Sequence, residues 1–189
     1  MIFDRFKLLF PKKFLGIDIG TSSIKVVEIS RWGGGITLEN YGEIKSSSLF
    51  KEQFRTFRKD THYLSSQFVS RAIRAILDEA KIRSRAVVFS IPDFSTLFTS
   101  FGLPPMEEKE IPEAVRFAAP RYTPISVAET TLDWQLIEGI PGNEKSNLKI
   151  LLIAIPNSVV EDYQRMAKMA GLELYFLEAE IMGIIRSLV

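Results

Sequence analysis

Leu15-Gly16-Ile17-Asp18-Ile19 alternates apolar with small or polar residues, the period-two pattern of a half-buried strand. Ile24, Val26, Val27 and Ile29 predict a second strand rich in β-branched residues. The glycines at 33–35 then signal a turn into a third strand beginning at Ile36-Thr37-Leu38-Glu39. Together these three make an antiparallel meander. From Gly42 to Ser66 the pattern lapses, although Phe50, Phe54 and Phe57 share the face of a short helix beside Lys51, Arg55, Arg58 and Lys59. Phe68, Ala72, Ile73, Ile76, Leu77 and Ala80 predict a longer amphipathic helix, with Ser65 and Ser66 as candidate caps.

The second half alternates in the same way. Ala86 to Ile91 is an unbroken apolar run suited to an interior strand, ended by Pro92-Asp93. Thr96 to Leu103 reads as another strand. Glu107 to Glu110 opens a helix kept short by Pro112 and Pro120. Thr130 to Ile137 and Lys149 to Ile155 predict two strands around a polar loop from Gly139 to Asn147. A helix follows, with a capping-box form at Ser158 to Glu161, a face of Val160, Tyr163, Ala167 and Ala170, and Gly171 at its end. Leu172 to Leu177 predicts a last strand, and Glu178 to Val189 a last helix. Several strand pairs are joined by turns too short for a helix, so the fold class is α/β with mixed rather than purely parallel sheets.

Composition narrows the chemistry. The 189 residues carry a formal net charge of +1, which gives no basic face for nucleic acid. The absence of cysteine excludes disulfides, zinc ribbons and thiol nucleophiles. One histidine, His62 in a polar stretch, excludes multi-histidine metal sites and reads as a bystander. No apolar run reaches the roughly 18 residues of a membrane-spanning helix. Residues 1–13 mix Ile2, Phe3, Phe6, Leu8, Leu9 and Phe10 with Arg5, Lys7, Lys12 and Lys13, without the apolar centre of a secretory signal. They suit a lead-in folded against the body, the reading we favour, or a segment lying on an anionic membrane or a partner.

The turn Gly20-Thr21-Ser22-Ser23 is the stretch with chemical content. A tight Gly/Ser/Thr turn can aim backbone N–H groups into one concavity that suits a phosphate, with the hydroxyls of Thr21, Ser22 and Ser23 as further donors. Asp18 can hold a hydrated magnesium ion, and Lys25 can meet a terminal phosphate as a point charge. It is neither a Walker loop nor a dinucleotide fingerprint, since both of those open a helix. A hairpin whose turn is merely polar fits the residues equally well.

Phe14 to Ser30, containing Gly16-Ile17-Asp18-Ile19-Gly20, resembles the first phosphate loop of the actin, sugar-kinase and heat-shock-70 ATPase fold. Leu15 to Ile29 is similar in wording to the PilM family of type IV pilus assembly proteins. So are Ala86 to Pro92, Arg121-Tyr122-Thr123-Pro124-Ile125 with Thr131 to Gln135, Ala170-Gly171-Leu172, and Glu178-Ala179-Glu180. The resemblance implies an actin-like (ribonuclease H-like) subdomain from residues 14–90 plus 171–189. A small βαββα subdomain of the kind shared with the division protein FtsA would be inserted at 91–170, and 1–13 would be the lead-in. Pro112, Pro120 and the segment from Gly42 to His62 depart from the family's pattern.

That resemblance also implies a function. The family's cytoplasmic members dock the short N-terminal peptide of the inner-membrane protein PilN in the cleft between the two subdomains, so they are peripheral to the inner membrane through partners. Asp18, Gly20, Thr21, Ser22, Ser23 and Lys25 would form a partial or vestigial phosphate site, with magnesium at Asp18 through water. No second Asp-x-Gly loop or adenosine motif follows Glu178. The expectation is therefore a scaffold without ATP hydrolysis, binding ATP and magnesium weakly or not at all. The alternatives are a fragment of an actin-like ATPase or kinase, and an FtsA-like division protein. Arg121, Tyr122 and Trp134 read as structural, with a cleft position as the alternative. Ile181, Ile184, Ile185 and Leu188 predict a partly apolar face and self-association.

Overall fold

The computed structural model describes residues 13–21, 23–32, 34–45 and 66–188. The 1–12 lead-in, Ser22, the helix proposed around Phe50, Phe54 and Phe57, and His62 lie outside the described residues. The chain divides into two units, one running to Pro92 and resuming at Glu161, the other spanning Asp93–Val160.

The first unit is built on a five-stranded sheet of β1 (Lys13–Ile19), β2 (Ser23–Trp32), β3 (Gly35–Lys45), β4 (Ala86–Ile91) and β8 (Glu173–Ala179), in the order β3-β2-β1-β4-β8. β1, β2 and β3 form the expected antiparallel meander, while β4 runs parallel to both β1 and β8. Leu15, Ile17 and Ile19 of β1, Ile24 and Val26 of β2, and Val87, Phe89 and Ile91 of β4 are all buried. At roughly 1.5–3 kcal/mol for each fully buried large aliphatic or aromatic side chain, this face is the unit's main source of stability.

Helix α1 (Ser66–Glu79) buries Val69, Ala72, Ile73, Ile76 and Leu77. Phe68, expected in that core, is only half-buried, and the Arg71 guanidinium lies 5.2 Å from its ring centroid. The helix ends in a Schellman-type turn. Lys81 takes the left-handed conformation (φ 55°) and the Ile82 N–H donates to the Leu77 carbonyl at 2.8 Å. β3 runs on to Lys45, past the point where its sequence pattern lapses. Gly42 makes that extension compatible with α1, because a Cβ there would lie 2.5 Å from Ile76 Cγ2.

Glu28, 5% exposed, ties three segments of this unit together. Its carboxylate accepts hydrogen bonds from Ser84 Oγ (2.5 Å) and Asn40 Nδ2 (3.1 Å). Burial works to raise its pKa, but those two hydrogen bonds and the Lys13 charge outweigh burial and hold it below the ordinary value. A depressed folded pKa stabilises the protein above the unfolded pKa, about 4.3 for glutamate, and that stability is lost as pH falls through the lower folded value. Wild type should therefore melt above Glu28→Gln at pH 7, with the gap closing on acidification below about pH 4. A gap that persisted unchanged in acid would show that the charge contributes nothing.

The second unit holds a three-stranded antiparallel sheet of β5 (Leu97–Leu103), β6 (Thr130–Glu138) and β7 (Leu148–Pro156), in the order β5-β7-β6. Helix α2 (Ile111–Ala118) carries Pro112 in its first turn, and a 3-10 turn over Ala119–Arg121 containing Pro120 follows it, so it is as short as the prolines require. Ile111, Val115 and Ala119 form one core with Phe101, Leu103, Leu148, Ile150 and Leu152.

Helix α3 (Asn157–Ala170) begins one residue before Ser158, so the expected cap lies inside its first turn. Gly171 closes it at φ 73°, with the Leu172 N–H donating to the Ala167 carbonyl. The order β5-α2-β6-β7-α3 is the βαββα read from the sequence, yet most of α3 belongs to the first unit. The two units divide after Val160, ten residues before the bound at 170 that the resemblance implies, and Tyr163 of α3 places its ring against Phe89 of β4. A second difference concerns Glu178, which lies in β8 opposite Ser90. The last helix, α4 (Glu180–Leu188), starts two residues later than predicted.

Candidate phosphate turn

The turn between β1 and β2 sits at the end of an unbroken register that runs from Lys13↔Ser30 to Ile19↔Ile24. The Gly20 N–H donates to the Ser23 carbonyl at 2.9 Å and closes the hairpin. A Cβ on Gly20 would stand 3.3 Å from that same oxygen, so glycine allows the close approach. Thr21 is exposed and Ser23 half-buried at the start of β2.

Strand pairing sets the charges beside the turn. Asp18 lies directly opposite Lys25, and Lys25 opposite Glu43. Ser90 of β4 donates its hydroxyl to Asp18 Oδ1 at 2.7 Å and is paired in turn with Glu178 of β8. Paired residues share a face of a pleated sheet. Glu43, Lys25, Asp18, Ser90 and Glu178 therefore form one polar row across all five strands, on the face opposite buried Ile17 and Ile19. Arg186 of α4 makes an ion pair with Glu178 at the end of that row.

A second contact supports the row from below. Tyr163, 1% exposed, donates its hydroxyl to the Ser90 carbonyl at 3.1 Å. Burial, followed by the negative charges of Asp18 and Glu180, pushes its phenol pKa far up, so it remains a neutral donor. The backbone of Ser90 is thus held by Tyr163 while its side chain orients Asp18.

The structure accordingly brings together Asp18, Gly20, Thr21, Ser23 and Lys25 at one end of β1 and β2. Ser90 and Tyr163 escaped the sequence reading. The available signal for Ser90 was its place as the one hydroxyl in the run Ala86 to Ile91; Tyr163 gave none beyond its helical face. Arg121, Tyr122 and Trp134 all lie in the second unit. Tyr122 stacks on Phe101 (centroids 4.5 Å apart, rings 8° from parallel), Arg121 lies 5.9 Å from the Phe117 centroid, and half-buried Trp134 packs on the core.

The residues present say what the phosphate end of a nucleotide would meet at this turn. Thr21, Ser23 and Lys25 would meet phosphate oxygens, and Asp18 would meet a hydrated magnesium ion, whose role would be to neutralise phosphate charge. Among the described residues there is no group of three or more histidine or carboxylate side chains placed to hold a metal directly.

Comparison with known families settles the affiliation. The family described as type IV pilus assembly protein PilM matches residues 16–187. The chain belongs to the PilM family. Among solved structures it is similar to the PilM-PilN type IV pilus biogenesis complex, with a TM-score of 0.77 and 24% identity over 94% of this chain and 51% of that one. It also resembles the cytoplasmic domain of EpsL, an inner-membrane component of the type II secretion system of Vibrio cholerae. That likeness has a TM-score of 0.52 and 10% identity over 88% of this chain and 57% of that one. The chain thus spans about half the length of the structures it matches. The fold is the actin-like one of the PilM family, and the match takes in the turn at Gly20 and both units.

Proposed function

We propose that this PilM-family chain is a non-enzymatic scaffold of type IV pilus assembly. It would work at the cytoplasmic face of the inner membrane by docking the N-terminal peptide of a PilN-like protein. The observation carrying this reading is the family match over residues 16–187, supported by the likeness to a structure described as a PilM-PilN complex. An extended peptide would gain main-chain hydrogen bonds and side-chain pockets from such a partner. The turn supports a scaffold in its own way. The Gly20 N–H is committed to Ser23 and one Asp18 oxygen to Ser90, so the hairpin is braced by contacts within the protein. On this reading any nucleotide is held weakly, by Thr21, Ser23 and Lys25, and serves to rigidify the hairpin.

Isothermal titration with a synthetic PilN-type N-terminal peptide should give micromolar affinity that survives Asp18→Ala. Absence of binding at high micromolar peptide would sink the docking proposal. ATP turnover by this chain, lost in Asp18→Ala, would favour the ATPase reading instead.

A further inference from the structure

Helix α2 has an outer face that neither the turn nor the proposed docking uses. A 3-10 turn at Glu108–Glu110 leads into it and the one at Ala119–Arg121 follows it, so the chain is helical from Glu108 to Arg121. Ile111, Val115 and Ala119 hold one side of this stretch in the core. On the other side Phe117 is 77% exposed, more than any other large apolar side chain of the second unit. One exposed ring needs no explanation by itself. What matters is the order of the charges around it.

Those charges run from acidic to basic along the stretch. From Glu107 to Glu113 the exposed charges are four carboxylates and Lys109; from Arg116 to Ala128 they are Arg116 and Arg121 alone. Glu113, Arg116 and Arg121 form no ion pair among the described residues, and Arg121 only leans toward the Phe117 ring, 5.9 Å from its centroid. A stretch that is acidic at one end and basic at the other complements its own reverse, and antiparallel helices also oppose their dipoles favourably. At about 100° per residue, Glu113 and Arg116 fall to one side of the outer face and Glu110 and Arg121 to the other, with Phe117 between them.

We propose that the outer face of α2 is the contact surface of a symmetric dimer, and that its occupant is the same face of a second copy of this chain. With the two helices antiparallel about a twofold axis at the level of Val115, Glu113 stands opposite Arg116 of the second copy. Glu110 stands opposite Arg121 of the second copy, and symmetry makes each pair twice. A twofold axis lying in the contact plane keeps each residue on its own side, so both kinds of pair form together. The two Phe117 rings fill the middle and leave water, as aromatic anchors at the centre of an interface do. A single helix pair buries little area, at the low end of interfaces, below about 1,200 Å². The dimer is therefore weak, with a dissociation constant on the order of 0.1 mM. It uses a different face from Ile184 and Ile185 of α4 and does not rest on peptide docking.

The test is sedimentation equilibrium of the full chain at low salt, from about 10 μM to about 1 mM. The mass should rise from the 21.5 kDa of one chain toward that of two. Glu113→Arg alone, or Arg116→Glu alone, sets like charges against each other across the axis and should weaken the dimer about tenfold or more. An equimolar mixture of those two variants should associate again, because the mixed dimer has opposite charges at both of its 113–116 pairs. Should either charge variant misfold, Phe117→Ser, at an exposed position, should also weaken the dimer about tenfold with an unchanged circular dichroism spectrum. A chain that stays monomeric at about 1 mM overturns the proposal. So does a mixture that associates no better than either variant alone, or a dimer that Phe117→Ser leaves intact. A dimer lost instead in Ile184→Ser with Ile185→Ser would place the contact on α4 and overturn it equally.

Discussion

Tyr163→Ala should cost the first unit about 3–5 kcal/mol, the range for truncating a large, fully buried aromatic side chain. The ring lies edge-on to Phe89, with centroids 5.4 Å apart and planes at 66°, and both rings are buried. Deleting it leaves a cavity between α3 and β4 and strips the Ser90 carbonyl of its donor. That loss is a large part of the 5–15 kcal/mol that stabilises an ordinary domain. Tyr163→Phe keeps the ring and loses only the hydrogen bond, so it should cost about 1 kcal/mol. Urea denaturation of both variants separates packing from hydrogen bonding. An alanine variant no weaker than the phenylalanine one would show that the ring contributes little. The pair also bears on the turn, because Tyr163 fixes the backbone of the residue that orients Asp18.

Gly139→Ala should destabilise the second unit by about 3 kcal/mol, adding a left-handed backbone penalty of roughly 1–2 kcal/mol to an overpacking cost of similar size. Gly139 has φ 100°, and a Cβ on it would stand 2.4 Å from the Asn147 carbonyl oxygen and 3.0 Å from Leu148 Cα. Both atoms belong to backbone entering β7, so relief requires shifting the β6–β7 register that frames the core. Gly142→Ala, in the same unit, is the control: its φ is 78°, but an added Cβ would meet nothing closer than the Glu107 carboxylate at 3.5 Å. It should cost only the backbone term, about 1 kcal/mol. The chain has two tryptophans, one in each unit. In a Trp32→Phe background, Trp134 fluorescence would report the second unit alone during urea unfolding. Equal losses for the two glycine variants would mean that the loop yields freely and the clash is harmless.

Much of the architecture was legible because it is local. The alternation at Leu15–Ile19, the apolar run at Ala86–Ile91 and the helical face from Ala72 to Leu77 each state their own period within a few residues. Gly171 and the two prolines around α2 mark ends in the same local way. The candidate turn residues Asp18, Gly20 and Thr21 were visible for that reason, and so was the exposed helix face at Ile184, Ile185 and Leu188.

What was hidden depends on partners distant in the chain. Ser90 reaches Asp18 across 72 residues, and only the parallel register of β1 with β4 brings them together. β3 continues beyond its readable pattern because Gly42 lets Ile76 of α1 approach, which no window around Gly42 can reveal. α3 reads as one amphipathic helix, but which unit claims it was decided by the Tyr163–Phe89 contact. The sequence by itself determined the periods, the turns and the chemical character of the Gly20 hairpin. Tertiary structure decided which charges stand beside that hairpin and which apolar residues stay outside, because strand register and helix packing join positions that chain connectivity keeps apart.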